Sequence, residues 1–274
     1  MWGSDMQGRR EEHGFTAVDA QAEPLAWAGV LDRLHGETFY QGYKRRVAEL
    51  LAPRSGGIYV EVGAGTGDDA RAVSEAAGAT VVACDLSRVL AGEARRRGAA
   101  CVAICDGMHL PFANDAFDGA WADRTLQHVQ DPETVLREIV RVVRPGGRIV
   151  TVDPDYDTQV MEFPDRDLAR RVLRLRAERG LRNGTLAHRV PGLLGALGMS
   201  EVRVEGATLI ARDPAAYDNV MGLRTWARTW QEDGELFLRD VERWESLFDE
   251  VVAGGRFFYS VTLFTTLAVK PYHI

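Results

Sequence analysis

The sequence predicts an α/β fold: a mostly parallel, seven-stranded sheet with an antiparallel last strand, an N-terminal helical cap and an inserted helical lid. Three observations predict it. Short β-branched apolar runs alternate with longer helical patterns from Gly56 to Val152, as a parallel sheet with crossover helices requires. A strand-like run enters a glycine-rich turn at Gly63 and leaves it as a helix. The chain then closes on a long β-branched run, Arg256 to Val269, reached through a helical excursion and not a short crossover, so that this strand can oppose its neighbours.

Taken in order, Pro24 to Leu51 has helical apolar spacing and carries Phe39, Tyr40 and Tyr43, a cap over the sheet's working edge. Strands are expected at Ile58–Val62, Thr80–Cys84, Cys101–Cys105, Ala116–Ala122 and Arg148–Val152, with helices at Asp69–Ala77, Ser87–Arg97 and Pro132–Val143. Pro145-Gly146-Gly147 should break the chain before the fifth strand. Beyond it, Asp165–Arg182 reads as an arginine-rich helix whose charged side is solvated. Val190–Leu197 reads as a short helix, Glu201–Ala207 as a strand and Pro214–Ala253 as a helical insert with Trp226, Trp230, Phe237, Trp244 and Phe248. The expected division is 1–52 cap, 53–153 ligand-binding core, and 154–274 the rest of the sheet with a lid at about 214–254. With 274 residues, 46% of them hydrophobic, one elaborated domain can bury a sizeable core.

Bulk charge excludes some partners. The formal charge is −7 and the pI about 5.5, which offers no electrostatic footprint to a phosphate backbone or an anionic membrane. Lys44 and Lys270 are the only lysines. The polar segment Met1–Phe15 lacks a signal-like apolar core, and no run approaches the ~20 apolar residues of a membrane span, so a cytoplasmic enzyme without nucleic-acid or membrane partners is expected. Cys84, Cys101 and Cys105 are odd in number and lie in apolar runs, which favours buried reduced thiols over a disulfide. No His or Cys pair has zinc-type spacing, and no metal is expected.

The chemistry begins at Tyr59-Val60-Glu61-Val62-Gly63-Ala64-Gly65-Thr66-Gly67-Asp68-Asp69. Glycines at 63, 65 and 67 let a backbone turn sharply and come close to a ligand at a helix N-terminus. The spacing is GxGxG, whereas a dinucleotide turn wants GxGxxG, and the acidic pair Asp68-Asp69 would repel a pyrophosphate. A ligand carrying an ammonium and a sulfonium meets no such objection. Asp85 closes the second strand where a carboxylate can accept both ribose hydroxyls. Asp106 closes the third, followed by Gly107, Met108, His109 and Leu110, a carboxylate beside an apolar rim suited to adenine. Any one of these aspartates could be a cap or turn former, but a set of acids in register at strand ends points to a site.

With Asp85-Leu86-Ser87, Asp106 to Phe112, Phe117-Asp118, Leu126 to Pro132 and Arg141 to Gly147 added, the chain resembles the class I S-adenosylmethionine-dependent methyltransferases, in the small-molecule (type 11) group that includes the ubiquinone and menaquinone methyltransferases. The resemblance spans about Tyr40 to Met199 and implies a Rossmann-like fold. It further implies that Glu61 with Gly63, Ala64, Gly65 and Gly67 holds the methionine end of S-adenosylmethionine. Asp85 and Leu86 would hold the ribose, and Asp106, Gly107 and Met108 the adenine, while Asp123 and Arg124 complete the pocket. Tyr40 or Tyr43 would reach the cofactor's carboxylate, with amphipathic packing as the alternative for both.

Methyl transfer from a sulfonium needs no covalent nucleophile; proximity and exclusion of water supply much of the rate. A base is useful when the acceptor is a hydroxyl or an activated carbon, and the candidates are His128, Asp123 and Tyr156. The run Asp153 to Asp157 is expected to line the acceptor side, and Asn183, His188 and Arg189 lie within reach of it. The function expected is methyl transfer to O, C or N of a small apolar or aromatic molecule in specialised metabolism. A cyclase or rearrangement catalyst on the same cofactor-binding fold is the alternative, with a nicotinamide oxidoreductase behind it. A homo-oligomer is compatible with all of these.

Overall fold

The computed structural model describes residues 15, 17–214 and 222–272; the first residues of the expected insert after Pro214 lie outside this range. Its elements are α1 (Ala26–Gly36), α2 (Thr38–Leu51), β1 (Ile58–Val62), α3 (Asp68–Ala77), β2 (Thr80–Asp85), α4 (Arg88–Arg96), β3 (Cys101–Ile104), β4 (Phe117–Asp123), α5 (Pro132–Val142), β5 (Val143–Met161), α6 (Arg166–Arg179), α7 (Val190–Ala196), β6 (Ser200–Ala211), α8 (Trp226–Glu232), α9 (Leu238–Ala253) and β7 (Tyr259–Val269).

Three of the helices, α4, α5 and α6, start at a side chain that caps them. Ser87 accepts from Leu90 N at the head of α4, and Asp131 does the same for Thr134 N before the Pro132 of α5, satisfying amides that no helical carbonyl can reach. On α5, Val135, Leu136, Ile139 and Val142 are wholly buried, the helical spacing that turns one stripe toward the sheet.

The strands form one sheet in the order β3-β2-β1-β4-β5-β7-β6. β1 to β5 are parallel, and β7 runs antiparallel between β5 and β6. Strand order reverses between β1 and β4, and in such sheets the crevice outside the carboxyl ends at the reversal is where ligands bind. One apolar layer, containing Val60, Ala120, Ile149, Leu136 and Leu194, fills one side of the sheet. A second, containing Tyr43, Trp121, Val150, Phe163 and the lid residues Trp230, Trp244 and Phe248, fills the other. Trp244 stacks on Phe163 with centroids 4.5 Å apart, so the lid's aromatic surface is spent largely on packing; Phe237 alone of that set is exposed.

Three expectations are corrected. The break at Pro145-Gly147 is a register shift inside a single long β5, in which Phe117 pairs with Val143 and Gly119 with Arg148. Gly146 takes φ +79° there, and Lys270 O accepts from its amide. The helical run before β1 is two helices, because Glu37 is extended, and the second lies along the sheet face with Val47 and Leu51 buried instead of capping only the edge. Finally, Cys84 and Cys105 are joined as a disulfide, with Cα atoms 6.2 Å apart, and only Cys101 is free. Composition cannot show this pairing: it follows from parallel register, which places Cys84 opposite Ala103 and ties Cys105 N to Asp85 O.

Candidate active site

The glycine turn leaves β1 at Val62 with Gly63, Gly65 and Gly67 all left-handed, at φ +75°, +54° and +70°. A Cβ at position 63 would overlap the Thr125 side chain, and one at Gly65 would stand 2.8 Å from Leu31 Cδ1. Thr125 is itself fixed, its Oγ1 donating to Val62 O at 3.0 Å, so the turn is clasped by the tip of β4. Gly65 N and Ser87 N donate to the two oxygens of Asp85, at 2.7 Å and 2.8 Å. Burial raises the Asp85 carboxyl despite these amides. Asp106 follows β3 by two residues and accepts from Met108 N at 2.9 Å. Asp85 and Asp106 therefore stand side by side at neighbouring strand tips, directly after the bridged cysteines.

On the opposite side of the turn lies a charged cluster. Lys44 pairs with Asp69, at the first turn of α3, and with Asp123, at the tip of β4, the latter at 3.1 Å. Tyr43 Oη donates to Asp123 at 3.0 Å. Burial would lower the Lys44 ammonium, but Asp123 and Asp69 outweigh it and hold the pKa above its usual range. Burial likewise would raise Asp69, and is overcome by the His35 hydrogen bond and the Lys44 charge. Glu61 accepts from Trp121 Nε1 at 3.0 Å, while its Oε2 is buried with no partner. Burial first, then the Asp69 charge, push this carboxyl well up. Next to it the Arg124 guanidinium stands 5.0 Å over the Tyr40 ring, on a residue forced to φ +52°.

These residues fit S-adenosylmethionine. The orphaned Glu61 Oε2 offers an acceptor where the amino-acid end of the ligand would lie. Asp85 and Asp106 offer acceptors for hydroxyls and an exocyclic amine, and the acidic start of α3 disfavours a pyrophosphate. The cap lies over this berth: Leu31 faces Gly65, and Asp19 bonds Ser87 Oγ and the amides of Arg88 and Val89. A cavity of about 790 Å³ opens beside it, between α2 and α3, with Lys44, Asp69, Trp121 and Asp123 on its wall.

The three candidate bases separate. Asp123 is committed to Lys44 and Tyr43. Tyr156 is buried beneath the Arg176 guanidinium, 5.0 Å from its ring centroid. His128 faces Phe15 at 5.6 Å; burial, then Arg124, Arg176 and Arg182, lower its pKa to about 3, so it is neutral at physiological pH. A group depressed in this way contributes stability above its unfolded pKa of about 6.5 and loses it as pH falls toward 3. Stability should therefore fall on acidification through that window, by at most about 1.4 kcal/mol per pH unit from this one group. Urea titrations of His128→Gln should show that slope reduced.

Elsewhere on the acceptor side, buried Asp153 accepts from Gln127 N at 3.1 Å. Asp155, also buried, accepts from the backbone amide of His188 at 3.0 Å and pairs with its ring. Asn183 is structural, its side-chain amide donating to Leu126 O and Val129 O. Sequence reasoning missed Lys44, Trp121 and Arg176, and read Asp69 only as an acid that would repel a pyrophosphate. The first was noticeable as one of two lysines; Arg176 was concealed in a run read as a solvated helix face.

A model of the methyltransferase domain matches residues 60–151. The chain is 32% identical over 268 residues to an uncharacterized 37.1 kDa protein in transposon TN4556 of Streptomyces fradiae, covering 94% of this chain and 76% of that protein. It is 32% identical over 148 residues to methyltransferase GfsG of Streptomyces halstedii, covering 52% of this chain and 49% of that one. Phosphoethanolamine N-methyltransferase 2 of Haemonchus contortus, solved with phosphomonomethylethanolamine and S-adenosylhomocysteine, shares the fold at TM-score 0.60 and 17% identity, over 94% of this chain and 60% of that one. Residues 60–151 are a methyltransferase domain, on a fold shared with structures solved with S-adenosylmethionine or S-adenosylhomocysteine. The chain's match to GfsG spans about half of that relative's length.

Proposed function

We propose that this protein transfers the methyl group of S-adenosylmethionine to O, C or N of a small organic acceptor with an apolar or aromatic body, in specialised metabolism. The observation that carries the reading is the juxtaposition of the left-handed glycine turn with Glu61, Asp85 and Asp106 at three successive strand tips. When bound, the cofactor supplies an electrophilic methyl on a sulfonium. Glu61 with the turn from Gly63 to Gly67 receives the amino-acid end, Asp85 and Leu86 the ribose, and Asp106, Gly107 and Met108 the adenine. Lys44 pairs with the Asp123 carboxylate and holds it in place, while Arg124 and Tyr40 would offer charge and a hydroxyl to the ligand's carboxylate. Tyr43, already donating to Asp123, positions that carboxylate. His128 lines the acceptor's path as a neutral imidazole: the surrounding guanidiniums oppose the imidazolium that a base must become. Orientation and exclusion of water by the cap and lid therefore carry the rate. No helix of the described residues is long and apolar enough to cross a membrane.

S-adenosylhomocysteine at a hundred times its Kd should add about 2.7 kcal/mol of stability, a rise in Tm of about 5–10 °C. Asp85→Ala should weaken that binding by roughly 10²- to 10⁴-fold, the loss of two hydrogen bonds to a charged acceptor at about 1.5–3 kcal/mol each. Absence of any shift at millimolar ligand would overturn the reading.

A further inference from the structure

Arg176 is half-buried and turns toward the lid side of the site. Its guanidinium carbon lies 5.0 Å from the Tyr156 ring centroid and 5.1 Å from that of Trp226, between β5 and the lid helix α8. Its Nε is buried without a hydrogen-bond partner, and among the described residues it makes no ion pair. Arg182, exposed and three residues beyond α6, also makes no ion pair among the described residues, and both lie close enough to His128 to act on its charge. Arg124, the third cation there, has a counter-charge in Asp123 at 3.6 Å. Of the acids on the acceptor side, Asp155 is paired with His188, and Asp153 accepts from Gln127 N through one oxygen while its Oδ2 is buried without a partner; neither forms an ion pair with Arg176 among the described residues. Tyr259, whose hydroxyl donates to Gln159 at 3.0 Å, stands edge-on to Trp226 at 6.1 Å and extends the aromatic wall.

A partly buried guanidinium lacking an anion is costly unless something compensates it. Stacking on two rings recovers part of the cost, but it uses the faces of the guanidinium and leaves its edge, where the N–H donors are, free to bond. That edge is suited to the planar, bidentate recognition of a carboxylate or a similar oxyanion. We propose that the methyl acceptor is an anionic aromatic or apolar molecule, its oxyanion held by Arg176 with help from Arg182 and its body laid against Tyr156 and Trp226. This rests on the methyltransferase reading above and adds to it the class of substrate. Charge in that position also orients the acceptor, fixing which of its atoms faces the cofactor.

The test uses the full chain saturated with S-adenosylhomocysteine, whose own binding is measured first by calorimetry. If that ligand does not bind, the function proposed above fails; the present inference is read only from the second titration. The probes are 2-naphthoate and its uncharged analogue 2-naphthamide, alike in shape. The wild-type chain is expected to bind the acid about ten-fold or more tightly than the amide, in keeping with a charge-assisted pair. Arg176→Gln should bring the two within about two-fold while leaving the S-adenosylhomocysteine affinity unchanged, and Arg182→Gln should remove part of the preference. Equal binding of acid and amide by the wild type, or a preference that survives Arg176→Gln, overturns the proposal. Should Arg176→Gln lose the S-adenosylhomocysteine site as well, Arg182→Gln decides: a reduced preference for the acid supports the proposal and an unchanged one overturns it.

Discussion

Alanine at position 63 is expected to abolish S-adenosylhomocysteine binding and to destabilise the fold by about 2–5 kcal/mol. Two effects add. The left-handed backbone at φ +75° costs an L-residue roughly 1–2 kcal/mol. The new methyl would also overlap a Thr125 side chain that cannot step aside without giving up its bond to Val62 O, an overpacking cost of about 1–3 kcal/mol. Gly56 separates the two contributions, since it has φ +73° with open space around its Cβ position. Gly56→Ala should show only the backbone cost, about 1–2 kcal/mol, and leave ligand affinity intact. Chemical denaturation and calorimetry on the pair measure both quantities; equal losses for the two variants would contradict the clasp between the turn and β4.

Lys44→Met is expected to cost about 3–5 kcal/mol, the range for removing one partner from a buried pair. The ammonium is 13% exposed and serves Asp69 and Asp123 together, Asp123 being 7% exposed. Without it, those carboxylates and the already disfavoured Glu61 face one another with the Arg124 guanidinium beside Asp123 as the neighbouring fixed positive charge. The pH dependence has a definite sign. Asp69 is depressed in the folded chain, so its contribution is present above the unfolded carboxylate pKa of about 3.9 and is lost as pH falls below it. In Lys44→Met the Asp69 pKa rises, which removes that contribution. The gap between wild type and variant should accordingly be full near neutrality and narrow below about pH 4. Urea midpoints at pH 7 and pH 3.5 give the comparison, and a gap independent of pH would show that Lys44 acts by packing alone.

The turn at Gly63 to Gly67 and the acids at 61, 85 and 106 were legible in the chain itself because they are local. Each is set by a strand ending in a turn, and the sequence there is constrained by backbone conformation and by what must sit at a strand tip. The parallel core and the antiparallel last strand were legible for the same reason, through period and order. Side-chain partners across the sheet were not. Tyr43 with Asp123 are 80 residues apart, Lys44 with Asp69 are 25, and Cys84 pairs with Cys105 across a parallel register that no composition argument can supply. Arg176 shows the limit most clearly. A helix with charge on several sides does not declare which arginine turns inward, and that was decided only when Tyr156 and Trp226, brought together by β5 and the lid, offered two ring faces and no carboxylate. The sequence by itself determined the fold and the glycine turn with its acids at neighbouring strand tips, since both are written in short-range pattern. Tertiary structure alone decided which titratable groups share a charge and which stand without one, because electrostatic partners are chosen by distance in space.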